Sequence, residues 1–146
     1  MRRGQGAWAM GLKNFARRTE GGVAIEFAMI APVFFAMLLG IVSYGGYFWI
    51  AHNVQELAND AARAALPGLT ASERQQLAQT QLTAELKNYG ALDAKAASAI
   101  YNGDSNGYTV RISYDAASSG FWSAAGLVPM PSSTIVRSAS IKLGGY

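Results

Sequence analysis

A run of 24 residues without a formal charge, from Phe27 to Ile50, constrains this 146-residue chain more than any other feature. As an α-helix the run is about 36 Å long, which is enough to cross a hydrocarbon core of about 30 Å with some tilt. Tyr44, Tyr47 and Trp49 gather at its far end, where amphipathic rings favour the boundary between lipid and water. The run therefore predicts one membrane-spanning helix.

Charge is unevenly placed along the chain and predicts its orientation. Residues 1–21 hold five basic residues and one acidic residue, whereas residues 22–146 hold seven basic and eight acidic residues. Since positive flanks stay in the cytoplasm, we expect a cytoplasmic leader over residues 1–21. A transmembrane helix with its extracytoplasmic extension follows over 22–66, and a small extracytoplasmic head over 67–146. The excess of basic over acidic residues lies in the leader and not in the head. Because a nucleic-acid-binding surface should lie on the folded part, this argues against a nucleic-acid partner.

Two other interpretations of the apolar run fit less well. A cleaved secretory signal has an apolar region of about 7–15 residues and a small-x-small cleavage site, and this run is longer and lacks a convincing site. A buried helical hairpin needs a second apolar segment to cover the first, and the sequence contains none.

Small and ring-constrained residues interrupt the apolar run. Pro32 cannot donate a hydrogen bond to the carbonyl of Ala28, so we expect a bend or a loosened turn there. Gly40, Gly45 and Gly46 offer small surfaces where another helix can approach closely. Membrane helices also tolerate Gly and Pro without a specific packing role, and that alternative stays open.

The residues after the apolar run predict two helical segments. Apolar residues at helical spacing from Asn53 to Leu66 continue the membrane helix, and Pro67-Gly68 stops it. Thr70 and Glu73 form a capping-box pattern that opens a second helix, which we expect to end at Gly90.

The rest of the head predicts a small sheet. Asp93 is expected to cap a short alanine-rich turn of helix that reaches Ile100, and residues 102–107 are dense in turn formers. Apolar and polar residues alternate over 108–114 and again from Thr134 to Leu143, which is the period of a half-buried strand. Two antiparallel strands joined by a long loop need the helices as cover, so the predicted class is α+β.

The residues that enter the apolar run resemble a processing site. Basic residues precede Gly21 and Gly22, and a lone carboxylate, Glu26, stands beside Phe27 at the mouth of the helix. This pattern is similar to the class III signal of type IV pilins and pseudopilins. The resemblance implies that a prepilin peptidase cuts after Gly21, which makes Glu26 the fifth residue of the mature chain. Glycines suit such a site because a backbone without side chains can extend into a protease cleft.

A narrower resemblance covers roughly residues 17–66. The motif from Glu26 to Pro32 (EFAMIAP), the residues LLGI at 38–41 and NDAARAA at 59–65 resemble the TadE-like family of type IVb pseudopilins, from tight-adherence (Flp pilus) systems. Ser43 departs from that family, many members of which carry an acidic residue inside the helix. The resemblance implies a subunit of the bacterial inner membrane whose partners are lipid, prepilin peptidase, other pilins or pseudopilins and the assembly platform.

Glu26 gains a specific role if the apolar helices of neighbouring subunits pack together in a filament. A carboxylate buried there needs a cation, and the resemblance implies that the new N-terminal amine of a neighbouring subunit, freed at Gly22, supplies it. Outside a filament, Glu26 is an interfacial residue in contact with water. The sequence does not decide whether the subunit enters the pilus or acts only in assembly.

Catalytic and metal-binding patterns are missing from the sequence. His52 is the single histidine, there is no cysteine, and no acidic cluster stands beside His52 at ligand spacing. No nucleophile elbow or phosphate-binding loop is present either. We therefore expect neither an enzyme nor a cofactor, metal or small-molecule substrate. The main alternative function is an uncleaved, signal-anchored periplasmic binding module; an exported enzyme is the weaker one.

Overall fold

The structure, a computed structural model, describes residues 20–89, 92–104, 106–124, 126 and 128–142. By their internal contacts these residues fall into two compact units, one that ends at Leu39 and one that begins at Gly40. They form two long helices, two short 3₁₀ helices and a three-stranded antiparallel sheet. The predicted α+β class, with a long N-terminal helix, a second helix and a small sheet, is confirmed.

Helix α1 spans Glu20–Ala64 and contains Pro32 without an interruption of the helix. It ends two residues before the predicted Leu66, and one further turn follows, in which the Gly68 N–H donates to the carbonyl of Ala65 at 3.1 Å. A Cβ atom at Gly68 would lie 2.9 Å from the backbone nitrogen of Arg74, so only glycine fits this close approach. The predicted stop at Pro67-Gly68 is therefore confirmed.

The head covers one face of the C-terminal half of α1. The predicted apolar face is fully buried, and it consists of Val54, Leu57, Ala58, Ala61 and Ala65. The alanines let the rest of the head approach the helix backbone closely, and the larger side chains fill the space between them. This face, together with buried residues of the second helix and the sheet, forms one apolar core.

Helix α2 spans Ala71–Asn88 and begins with the predicted cap. The hydroxyl of Thr70 accepts a hydrogen bond from the Glu73 N–H at 3.2 Å, while the Glu73 carboxylate accepts one from the Leu69 N–H at 2.9 Å. The return bond thus reaches one residue further back than in the usual capping box. Leu82 and Leu86 face the core. The expected end at Gly90 lies outside the described residues.

The segment before the turn forms a strand rather than a helix. Asp93 caps only a 3₁₀ turn, Ala94–Ala96, and strand β1 follows over Ala97–Gly103. The predicted helix up to Ile100 is therefore wrong. Alanine has the highest intrinsic helix propensity, but the preference is small per residue, and pairing with the neighbouring strand outweighs it.

Strands β2 (Gly107–Asp115) and β3 (Thr134–Lys142) complete the sheet, with β2 in the centre. The predicted alternation is confirmed, because the four apolar side chains of β2 are all buried, and they are Tyr108, Val110, Ile112 and Tyr114. On β3, Ile135 is buried on the same side of the sheet. Leu143, the expected end of β3, lies outside the described residues.

The predicted turn between β1 and β2 is confirmed but is narrower than residues 102–107, because the strands extend to Gly103 and from Gly107. One carboxylate oxygen of Asp104 accepts hydrogen bonds from the N–H groups of Asn106 at 2.8 Å and Gly107 at 2.7 Å. This side chain closes the turn in the way typical of aspartate.

Candidate functional site

The N-terminal part of α1 carries an uncovered apolar surface. Each large apolar side chain from Val23 to Val42 is exposed, with values from 39% at Leu39 to 75% at Met29. Water is a poor environment for a continuous surface of this size, so it needs lipid or other apolar helices around it. Within the described residues, the helix from Gly22 to Ala64 is the one segment long and apolar enough to cross a membrane. It is a candidate membrane anchor.

The residues of the predicted processing site lie in the first turns of this helix. Gly21 and Gly22 are already helical, and Glu26 and Phe27 are exposed. Among the described residues, no cation forms an ion pair with Glu26. The basic residues that precede the glycines lie outside the described range, and cleavage after Gly21 stays a prediction.

Three of the predicted packing residues face open space. Pro32 is exposed, and a Cβ atom placed on Gly40 or Gly45 would meet no other described residue within 4 Å. These positions are free to take part in contacts with another helix, and a bend at Pro32 likewise stays a prediction.

Gly46 has a different environment from the other glycines of the helix. It is buried, and a Cβ atom at this position would overlap the aromatic ring of Phe121, with ring atom Cδ2 only 2.6 Å away. Because Gly46 has no side chain, the ring of Phe121, which belongs to the head, can pack directly against α1 at this position. The sequence predicts a helix-packing role for Gly46 but not the contact with Phe121, since nothing in the sequence links two residues 75 positions apart.

Further contacts fix the same loop of the head to α1. The Tyr44 hydroxyl donates to the backbone carbonyl of Pro129 at 2.7 Å. The rings of Tyr47 and Trp122 lie 5.8 Å apart in a tilted arrangement, and Ser43 is buried. The end of the predicted membrane run, residues 43–50, is thus partly covered by the head. Aromatic side chains from the helix and from the loop together form a layer at this level.

Acidic side chains cluster between α1 and α2. The Glu85 carboxylate accepts a hydrogen bond from the Gln81 amide at 2.6 Å, while its second oxygen is buried and has no hydrogen-bond partner among the described residues. Burial raises the pKa of Glu85, and the nearby charges of Asp60 and Glu56 raise it further, against the lowering effect of the Gln81 bond. Burial and the negative charge of Glu56 likewise raise the pKa of the Tyr89 phenol, which donates to Glu56 at 3.4 Å.

His52 lies on the exposed side of α1. Its Nε2 atom lies 3.1 Å from a carboxylate oxygen of Glu56, and both side chains are well exposed. In the part of the chain that the structure describes, no group of three or more His, Cys, Asp or Glu residues is placed to hold a metal ion.

One part of the chain matches a known protein family. Residues 21–63 match the family model described as TadE-like protein, and these residues lie within α1. The resemblance to TadE-like pseudopilins is confirmed over this segment. No curated protein and no solved structure matches the chain. The matched segment does not include α2 or the sheet.

Proposed function

We propose that this chain, which is TadE-like over residues 21–63, is a minor pseudopilin of a tight-adherence pilus or a related secretion system. In this proposal it is a structural or assembly component and not an enzyme. Its partners are membrane lipid, a prepilin peptidase, other pilins or pseudopilins and the assembly platform. The observation that carries the proposal is the position of Glu26, five residues after Gly21 on a helix whose apolar surface is uncovered.

The length of the uncovered helix supports a single membrane crossing. Residues 22–42 precede the part of α1 that the head covers, and 21 helical residues rise about 32 Å, close to the hydrocarbon thickness of about 30 Å. This placement puts Glu26 near the cytoplasmic face of the inner membrane. The aromatic layer around Tyr44 and Trp122 then lies at the periplasmic boundary, where such rings are favoured.

The proposed mechanism is mechanical. The apolar helix holds the subunit in the bilayer until assembly, and the same exposed side chains then pack against the helices of other subunits. Inside such a bundle the Glu26 carboxylate loses its water, and the free amine of a neighbouring Gly22 supplies the compensating charge. Removal of the leader is required, because the amine does not exist before the cut.

The proposal is tested by expressing the chain with and without an active prepilin peptidase and measuring the N-terminus of the membrane-bound product. We expect the product to begin at Gly22 when the peptidase is present and at the original N-terminus when it is absent. A Gly21→Val variant should resist cutting, whereas Gly45→Val, a matched change later in the helix, should be cut normally. A full-length product in the presence of active peptidase contradicts the proposal and supports an uncleaved, anchored binding module.

A further inference from the structure

Two opposite sides of α1 differ where the head begins to cover the helix. On one side the head covers Ser43, Gly46 and Ile50, which are all buried. The opposite side, which we call the open face, consists of Ile41, Gly45, Phe48 and Trp49. Successive residues of an α-helix are about 100° apart around the axis, so the centres of these two sides lie roughly 180° from each other.

The open face is apolar, and no part of the chain that the structure describes covers it. The side chains of Ile41, Phe48 and Trp49 are 67%, 64% and 43% exposed. A Cβ atom at Gly45 would meet no described atom within 4 Å. A continuous apolar surface of this kind needs an apolar environment. It directly follows the uncovered residues 22–42 along the helix, which the proposed function places in lipid.

The apolar surface ends directly after Trp49. His52 follows on the same side of the helix and lies 3.1 Å from Glu56, and Asn59 and Arg63 continue this side. A face that packs against the helix of another subunit stays apolar over further turns. An apolar surface that stops within one turn, at a tryptophan, is instead typical of the boundary between lipid and water. Lipid is therefore favoured as the partner of the open face.

An upright helix does not place both the open face in lipid and the head in water. The Tyr44 hydroxyl donates to the backbone carbonyl of Pro129, a residue of the head that is exposed. Tyr44 precedes Phe48 by about one turn, or roughly 6 Å along the axis. Long side chains of a helix point toward its N-terminus, so the hydroxyl lies lower still. In an upright helix Pro129 would therefore be at least as deep in the membrane as Phe48.

We propose that this end of α1 leans within the bilayer toward its open face, with Phe48 among the lipid chains and the head on the side turned away from the membrane. The inference rests on the membrane crossing of the proposed function. From Ser43 to Phe48 the helix rises about 7.5 Å, and its width is about 10 Å, so a lean of roughly 35° brings both residues to the same depth. This angle lies within the range of about 0–40° found for membrane helices, and interfacial residues such as Trp49 help to set it.

Fluorescence quenching tests the lean on the full chain, purified and reconstituted into vesicles of phosphatidylethanolamine and phosphatidylglycerol. Because the sequence has no cysteine, a bimane label can be attached to single-cysteine variants. Phe48→Cys is expected to be quenched several-fold more by lipids with a nitroxide on the acyl chain than by iodide on both sides of the bilayer. Pro129→Cys is expected to show the opposite preference, and it keeps the backbone carbonyl that Tyr44 binds.

Two further variants serve as controls for lipid and for water. Val33→Cys lies within the proposed crossing, and Gln75→Cys lies at an exposed position of α2. Thermal unfolding of each labelled variant is used to verify that the head remains folded. If Val33→Cys is quenched by iodide, the membrane crossing itself is wrong. If Val33→Cys is protected but Phe48→Cys is quenched by iodide as strongly as Gln75→Cys, only the lean is wrong.

Two other results also overturn the lean while leaving the crossing intact. Equal quenching of Phe48→Cys and Pro129→Cys by the acyl-chain nitroxide would mean an upright helix with the loop of the head immersed in lipid. Protection of Phe48→Cys from iodide that disappears when the protein is diluted in lipid would mean that another copy of the chain, and not lipid, covers the open face.

Discussion

Gly46 of α1 lies directly against the aromatic ring of Phe121, with no room for a Cβ atom between them. The contact joins the long helix to a loop of the head, and the hydrogen bond from Tyr44 to the carbonyl of Pro129 reinforces it two residues earlier along the helix. Together these contacts set where the head begins to cover the helix. In the proposed function, they also set how much of the helix remains for the membrane.

The close approach at Gly46 predicts a strong sensitivity to substitution. A Gly46→Ala change should lower the free energy of unfolding of the head by about 1–3 kcal/mol, the usual cost of overpacking, since the ring of Phe121 must move. Thermal unfolding in detergent, followed by near-ultraviolet circular dichroism, measures this loss.

Gly45→Ala is the matched control, because a Cβ atom at Gly45 meets no atom of the described residues within 4 Å. Alanine is a better helix former than glycine by up to about 1 kcal/mol, so this variant should be neutral or slightly stabilised. Equal destabilisation by the two changes would show that the effect comes from the helix backbone and not from Phe121.

The cap of α2 gives a smaller, separable prediction. Thr70→Ala removes the hydroxyl that accepts the Glu73 N–H, and we expect a loss of about 1 kcal/mol in the free energy of unfolding. Thr70→Ser should retain most of the stability. Thr80→Ala removes a hydroxyl that only donates back to the Gln76 carbonyl within the same helix, so it should cost nothing. Denaturant unfolding of the three variants provides the comparison.

Glu85 predicts a dependence of stability on pH. Burial raises the pKa of its carboxyl, so the folded head holds this proton more tightly than the unfolded chain does. The contribution of this proton to the free energy of unfolding is therefore fully present below about pH 4, where the carboxyl is protonated in both the folded and the unfolded state. It is lost as the pH rises through the pKa of Glu85 in the folded state.

Replacing Glu85 with Gln removes the buried charge and keeps an oxygen that can accept from Gln81. The variant should have a higher melting temperature than the parent at neutral pH, and the difference should shrink toward about pH 4. Melting curves at a series of pH values measure it. A constant difference at all pH values would mean that ionisation of Glu85 is not the cause.

A substitution of Glu26 tests its proposed ion pair with the N-terminal amine of a neighbouring subunit. A Glu26→Gln variant should be cut after Gly21 as before, but its incorporation into sheared pili or assembly complexes should fall at least about tenfold, because loss of one partner of a buried pair costs about 3–5 kcal/mol. Glu20→Gln, the same change within the leader that is proposed to be removed, should incorporate normally. Normal incorporation of Glu26→Gln refutes the pairing with a neighbouring amine.

Sequence periodicity predicted the elements whose burial follows from their own residues. The alternation around Val110 and the helical spacing around Leu57 each place apolar side chains on one face, and both faces are buried. Strand β1 was missed because its alanines suggest a helix, and only pairing between Ala99 and Ile112 of β2 makes it a strand. A local pattern does not contain that partner.

For the candidate site, the sequence predicts the residues of the processing site but not the contacts of the head with α1. The glycines, Glu26 and the apolar run stand next to one another in the sequence, so the sequence alone predicts a processing site there, and that site stays a prediction. The docking of the head was not, because the apolar run looks the same on either side of Ser43. Only the folded chain distinguishes the covered positions, such as Gly46, from open ones such as Gly40.

In the proposed function, residues 22–42 cross a bilayer and the head lies in the periplasm. Because the chain has no cysteine, single-cysteine variants can be labelled with a membrane-impermeant maleimide in cells whose inner membrane is intact. Gln75→Cys, at an exposed position of α2, is expected to react, whereas Val33→Cys should stay unlabelled until detergent dissolves the bilayer. Equal labelling of Val33→Cys in intact cells, or no labelling of Gln75→Cys until the inner membrane is broken, would contradict the account.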